Sequence, residues 1–116
     1  MYCCQMVRWK EWGQRLCIGI HSDLEVTDAA GERRPIVSQT FCSAVAYTRV
    51  SSAHWEGFAA LVPEAAYEAT MLAAVLNKQR GASNVVLLTF LGGGAFGNED
   101  DWIHRAGAKG NVGCWP

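Results

Sequence analysis

The sequence predicts an α/β domain, with helices flanking a mixed or parallel sheet, and three observations carry that prediction. Between Ser52 and Arg80 apolar residues recur three and four apart, the period of a helix with one buried stripe. Next, Val85, Val86, Leu87, Leu88, Thr89, Phe90 and Leu91 form an unbroken apolar run of strand length. Rich in β-branched and aromatic residues and without polar alternation, it suits a strand buried on both faces. Gly92, Gly93, Gly94, Ala95, Phe96, Gly97 and Asn98 then lead into Glu99, Asp100, Asp101, Trp102 and Ile103, which read as a first helical turn. Strand, glycine loop and helix start, in that order, bring backbone N–H groups up to a phosphate.

Composition narrows the classes. With 116 residues, half of them hydrophobic, the chain predicts one domain able to bury a core. A net charge of −1 gives no electrostatic footprint for duplex nucleic acid. No uninterrupted apolar stretch approaches the roughly 18 residues of a membrane span. The opening MYCCQMVRWK has no apolar core behind its charges, so no secretory signal is expected and a cytoplasmic setting is the default. Five cysteines (Cys3, Cys4, Cys17, Cys42, Cys114) lack a framework spacing and read as reduced thiols. Cys3-Cys4 has no second pair and the three histidines lie far apart, so no metal centre is expected.

In chain order, residues 1–15 are polar and mixed, with Trp9 and Trp12 as anchors, and read as peripheral. Leu16 to Ile20 is a short apolar run, and Leu24, Glu25, Val26 and Thr27 alternate. Together they predict one or two strands, closed by turn chemistry at 28–31 and a solvated tip at Glu32, Arg33 and Arg34. Residues 35–47 predict a further strand, centred on 36–42 and ending in the small residues Cys42, Ser43 and Ala44. Small residues there leave room for a ligand or for a closely packed helix, and both readings stand. The helix that follows presents Trp55, Phe58, Val62, Ala65, Ala69, Leu72 and Leu76 as its core stripe. Ser51 or Ser52 caps its start, and residues 77–81, with Lys78 and Arg80, close it. Pro63 predicts a kink or a restart. Strand, helix and strand in succession form a crossover between parallel strands, which sets loops 43–47 and 92–98 at one sheet edge. The glycine-rich tail, 107–116, is expected to end the last helix and lie at the periphery.

The loop decides the chemistry. Gly92, Gly94 and Gly97 fit G-x-G-x-x-G, but a Rossmann turn calls for a helix, another strand and an acidic residue about 20 positions on. Too few residues follow, and no Lys-Ser/Thr succeeds the last glycine as a Walker A loop requires. Residues 67–105 instead resemble the C-terminal half of a macro domain-like protein. The wording Gly-Gly-Gly-Ala-Phe-Gly-Asn is similar to the second ligand loop of macro domains, and closer still to the poly(ADP-ribose) glycohydrolase branch. The resemblance spans about 70 residues (35–105). It implies a macro-like fold, incomplete in this chain, with ADP-ribose or a related nucleotide diphosphate as ligand. By position, Gly92, Gly93, Gly94 and Ala95 would donate N–H groups to the diphosphate. Phe96 would lie against the distal ribose, and Gly97 or Asn98 would border it. The asparagine-rich first loop and the paired-glutamate motif of the glycohydrolases are absent from this sequence.

The remaining polar residues have plain readings. His54 and His104 read as surface residues, and His21, beside Asp23, as a general-base candidate. Asp100 and Asp101 complement a helix dipole. Glu64 and Glu68 read as a solvated helix face, and Cys42, at a strand end, is a conceivable nucleophile disfavoured because no histidine is tied to it by sequence. Two functions therefore stand side by side. One is ADP-ribose binding through 92–98 without metal or cofactor, extending to hydrolysis of an ADP-ribose derivative if catalysis occurs. The other is a truncated or degenerate macro-like chain that acts only by protein association. A nucleotide-dependent redox enzyme ranks behind both.

Overall fold

The computed structural model describes residues 16–28, 31, 34–50 and 53–112. The expectations for 1–15, for the Ser51/Ser52 cap, for Glu32 and Arg33, and for 113–116 lie outside those residues. The elements run β1 (Gly19–Glu25), β2 (Ile36–Phe41), α1 (Tyr47–Val50), α2 (Ala53–Gln79) and α3 (Asp100–Val112). This is a mixed α/β protein, as the sequence predicts at that level.

The sheet is smaller than expected and of the opposite sense. β1 and β2 pair antiparallel, from Gly19 opposite Phe41 to Glu25 opposite Ile36. Val26 N–H closes the connecting turn on Pro35 O at 3.0 Å. The register slips between His21 and Leu24, where Asp23 takes φ of 59°. An extra residue with left-handed backbone is the signature of a bulge, and aspartate tolerates it better than most side chains. The expected mixed or parallel sheet is thus corrected to one antiparallel hairpin.

The apolar run 85–90 is the largest departure. It joins no ladder and forms no regular strand among the described residues. Val85 is 73% exposed, Leu87 90%, Leu88 45% and Phe90 48%. Both ends are nevertheless tied beside β2. Ser38 Oγ and Ser83 O both bond Asn77, at 3.4 Å each, while Gly92 packs tightly against Ala44. The segment therefore travels in β2's direction, as a crossover requires, without exchanging backbone hydrogen bonds with it. A run that apolar can be a buried strand only when other strands and helices cover it, and sequence pattern cannot see whether they do.

α2 runs unbroken through Pro63, whose side chain is fully buried. Neither a break nor a restart occurs there. The proline leaves the Ala59 carbonyl without its helical donor but supplies packing surface in exchange. The buried face consists of Ala59, Pro63, Ala66 and Tyr67, one residue round from the expected stripe. Trp55, Phe58 and Leu76 of that stripe are exposed, and Val62, Ala65, Ala69 and Leu72 are half-buried. Small residues won the buried position because α3 packs there: Ile103 and Ala106 cluster with Tyr67 of α2. Ridges of alanine let two helices approach closely.

That contact also explains why α3 continues to Val112 rather than stopping at Gly107. A helical glycine costs about 1 kcal/mol relative to alanine, which the burial of Trp102 and Ile103 exceeds. The expected frayed tail is corrected over 107–112. By length and composition α2 is also apolar enough to cross a membrane, contrary to the expectation from sequence, with 28% of that window buried.

Candidate functional site: the 92–98 loop

The loop is built by three anchors, each supplied by a different element. Tyr67 of α2 holds its entrance: the phenol donates to Thr89 O at 2.6 Å and accepts from Leu91 N–H at 3.1 Å. Asn98 holds its exit from a site only 4% exposed. Its Nδ2 donates to Val45 O at 2.8 Å and Gly92 O at 3.2 Å, and its own N–H donates to Gly92 O at 3.0 Å. Thr48 in α1 holds the crown, giving its N–H to Phe96 O at 3.1 Å and its hydroxyl to Ala95 O at 3.4 Å. Tyr47 beside it meets Trp102 edge to face, centroids 5.1 Å apart. Loops 43–47 and 92–98 therefore do converge, as the crossover argument expects.

The glycines serve this packing. Gly92 sits at φ +84°, and a Cβ there would lie 2.5 Å from Ala44 Cβ and 2.6 Å from Asn98 Nδ2. At Gly93 it would meet the Phe90 ring at 2.1 Å and Ile103 Cδ1 at 3.1 Å. Both distances are far inside van der Waals contact, so close approach of protein to protein already accounts for these two positions. Gly94 differs: nothing lies within 4 Å of its Cβ position. It is the loop's open point.

Polarity divides cleanly across the loop. The carbonyls of Gly92, Gly94, Ala95 and Phe96 all accept bonds from within the protein. Gly93 and Gly97 N–H are spent on Phe90 O and Gly94 O. The N–H groups of Gly94, Ala95 and Phe96 have no acceptor among the described residues, and all three residues are exposed. Successive backbone donors left without an acceptor are what an anion needs. Glu99, Asp100 and Asp101 follow directly and are exposed, and their negative charge opposes an anion. Directed donors plus uncharged contacts, such as those to ribose hydroxyls, fit this loop better than bare phosphate does.

No protein family model matches this chain, and neither a curated protein nor a solved structure matches it.

The other sequence candidates are placed apart from the loop. His21 and His54 are exposed, and His104 stacks at a tilt on Phe90, 5.4 Å between centroids. Asp23 is committed to Arg80, at 3.0 and 3.3 Å, so the His21–Asp23 base reading gains no support from geometry. Desolvation pushes the Cys42 thiol up, the wrong direction for a nucleophile at neutral pH. Glu64 is not on a solvated face: it pairs with Lys109 of α3, and Glu68 beside it is half-buried. Among the described residues no His, Cys, Asp and Glu cluster is suited to a metal. Sequence reasoning missed Tyr67 and Thr48. The signal for Tyr67 was present: a tyrosine among alanines in an apolar helix needs a partner for its hydroxyl.

Proposed function

We propose that this chain binds ADP-ribose or a related nucleotide diphosphate at the loop formed by Gly92, Gly93, Gly94, Ala95, Phe96, Gly97 and Asn98. The observation that carries the proposal is the trio of unspent N–H donors at Gly94, Ala95 and Phe96. In this reading they hold the diphosphate, exposed Phe96 lies against a ribose, and Asn98 fixes the loop from beneath. Gly92, Gly93 and Gly97 shape the loop rather than touch the ligand. A macro domain-like ancestry and a cytoplasmic setting belong to the same proposal. The loop's wording and the convergence of 43–47 with 92–98 support the ancestry; the antiparallel hairpin does not. Hydrolysis of an ADP-ribose derivative, if it occurs, has no catalytic residue assigned to it.

The test is calorimetric titration with ADP-ribose, comparing the wild type with Gly94→Glu. That substitution enters open space and sets a carboxylate beside the donors, whereas Gly93→Glu would strike Phe90 and disturb the fold. Saturable micromolar binding that Gly94→Glu abolishes is the expected result. A folded wild type that releases no heat with ADP-ribose overturns the proposal. Protein association without a ligand is the second reading, favoured by the exposure of residues 85–90.

A further inference from the structure

Residues 85–90 combine three features seldom left together on a protein surface. They are apolar and carry no charge or proline. They are widely exposed, Val85 and Leu87 most of all and Leu88 and Phe90 by about half. Their main chain is largely unspent: the N–H groups of Val86, Leu87, Leu88, Thr89 and Phe90 have no acceptor among the described residues. Natural edge strands normally carry a lysine, a proline or a bulge that prevents pairing with another chain. This one carries none.

We infer that residues 85–90 form a dimer seam, pairing antiparallel with the same segment of a second copy of this chain. Three arguments select a second copy. Residues 86–88 leave both N–H and C=O without a partner among the described residues, whereas Thr89 O and Phe90 O are already used; such a stretch is self-complementary, and one twofold rotation satisfies the same groups on both chains. The segment offers no charge that would single out a charged partner. Its four most exposed apolar residues present roughly 500 Å², before the main chain and flanking residues, against about 800 Å² per partner in a standard interface. The assembly closes at two. The segment's ends are held by the chain's own body, Ser83 through Asn77 and Gly92 beside Ala44, and a twofold pairing that uses the same edge on both chains leaves no second edge to extend. The product is a two-stranded antiparallel ribbon shared between two chains. This inference stands independently of the ligand at 92–98.

Sedimentation equilibrium from low to high micromolar concentration tests it, with Leu87→Lys and Val85→Lys as variants. Both side chains lie mostly in solvent, so the folded monomer tolerates the change. Amide hydrogen exchange on the wild type reads the seam directly. The expected result is a wild-type dimer, monomeric variants with unchanged circular dichroism, and slowed exchange at 86–90 in the wild type alone. A wild type that stays monomeric throughout overturns the inference, as do assemblies larger than a dimer. Dimers retained in both variants overturn it as well. If either variant loses its fold, fast wild-type exchange at 86–90 overturns it and slow exchange upholds it.

Discussion

Single residues decide whether the 92–98 loop exists at all. Asn98 is the clearest case, because one buried amide satisfies two carbonyls from separate segments, Val45 and Gly92. Its Oδ1 is buried and has no partner among the described residues. Leaving an acceptor so costs about 1–3 kcal/mol, which the loop tolerates because removing the amide would strand Val45 O and take one of the two donors from Gly92 O. Gly92 is equally constrained, by a left-handed backbone and by Ala44 and Asn98 where a Cβ would go. Gly92→Ala should lose on the order of 3 kcal/mol of stability: about 1–2 from the backbone and a similar amount from overlap. Gly94→Ala, with open space around it, should change little. Urea denaturation of the two variants checks this, and equal midpoints would mean that the loop yields easily. The seven residues were legible as a unit because glycine density marks unusual backbone. Which glycines serve packing and which leave a donor open was not, since that depends on what Ala44, Thr48 and Phe90 occupy.

Elements follow the sequence where the chain itself determines them and depart where neighbours do. β2, the acidic start of α3 and the end of α2 were legible from β-branched content, first-turn aspartates and the Lys78–Gly81 stop. The α2 stripe was one residue off because bulk is only a proxy for burial, and at a close helix contact alanine outcompetes phenylalanine. The strand expected at 85–91 failed for the complementary reason: its apolar pattern states a need for cover and says nothing of the source. At the α2–α3 contact, Glu64 pairs with Lys109, while Glu68 has no ion pair among the described residues. Burial, then repulsion from Glu64, pushes the Glu68 carboxyl above its ordinary value. A carboxyl raised in the folded state binds its proton more tightly there, so its effect on stability improves as pH falls through that raised value and is unfavourable above it. Glu68→Gln should therefore melt higher than the wild type near neutral pH, with the gap closing below about pH 4. Thermal melts at both pH values measure it, and a gap that does not change with pH would assign the effect to packing.

At the scale of the molecule, stability is unevenly distributed. α2, α3 and the loop share one buried cluster around Tyr67, Ile103 and Ala106, with Leu91 packed on it. The β1–β2 hairpin rests on that body mainly through polar contacts: Asp23 with Arg80, Ser38 with Asn77, and the Thr40 and Thr70 hydroxyls. The first two are exposed, and exposed ion pairs contribute only about 0–1 kcal/mol each. A two-stranded hairpin alone is marginal in water, so this one should open locally long before the helices separate. Native-state hydrogen exchange should show hairpin amides opening by a small free energy that hardly depends on denaturant, while α2 and α3 amides follow global unfolding. Arg80→Ala should speed exchange in β1 and leave α3 unchanged. Hairpin amides protected as strongly as those of α3 would show that the sheet is covered in solution by something beyond these contacts. A second chain at 85–90 would raise protection at 86–90 with concentration and leave the hairpin, which shares no backbone hydrogen bond with that segment, unchanged. The same measurement across a dilution series thus separates the seam, whose protection follows concentration, from the hairpin, whose protection does not.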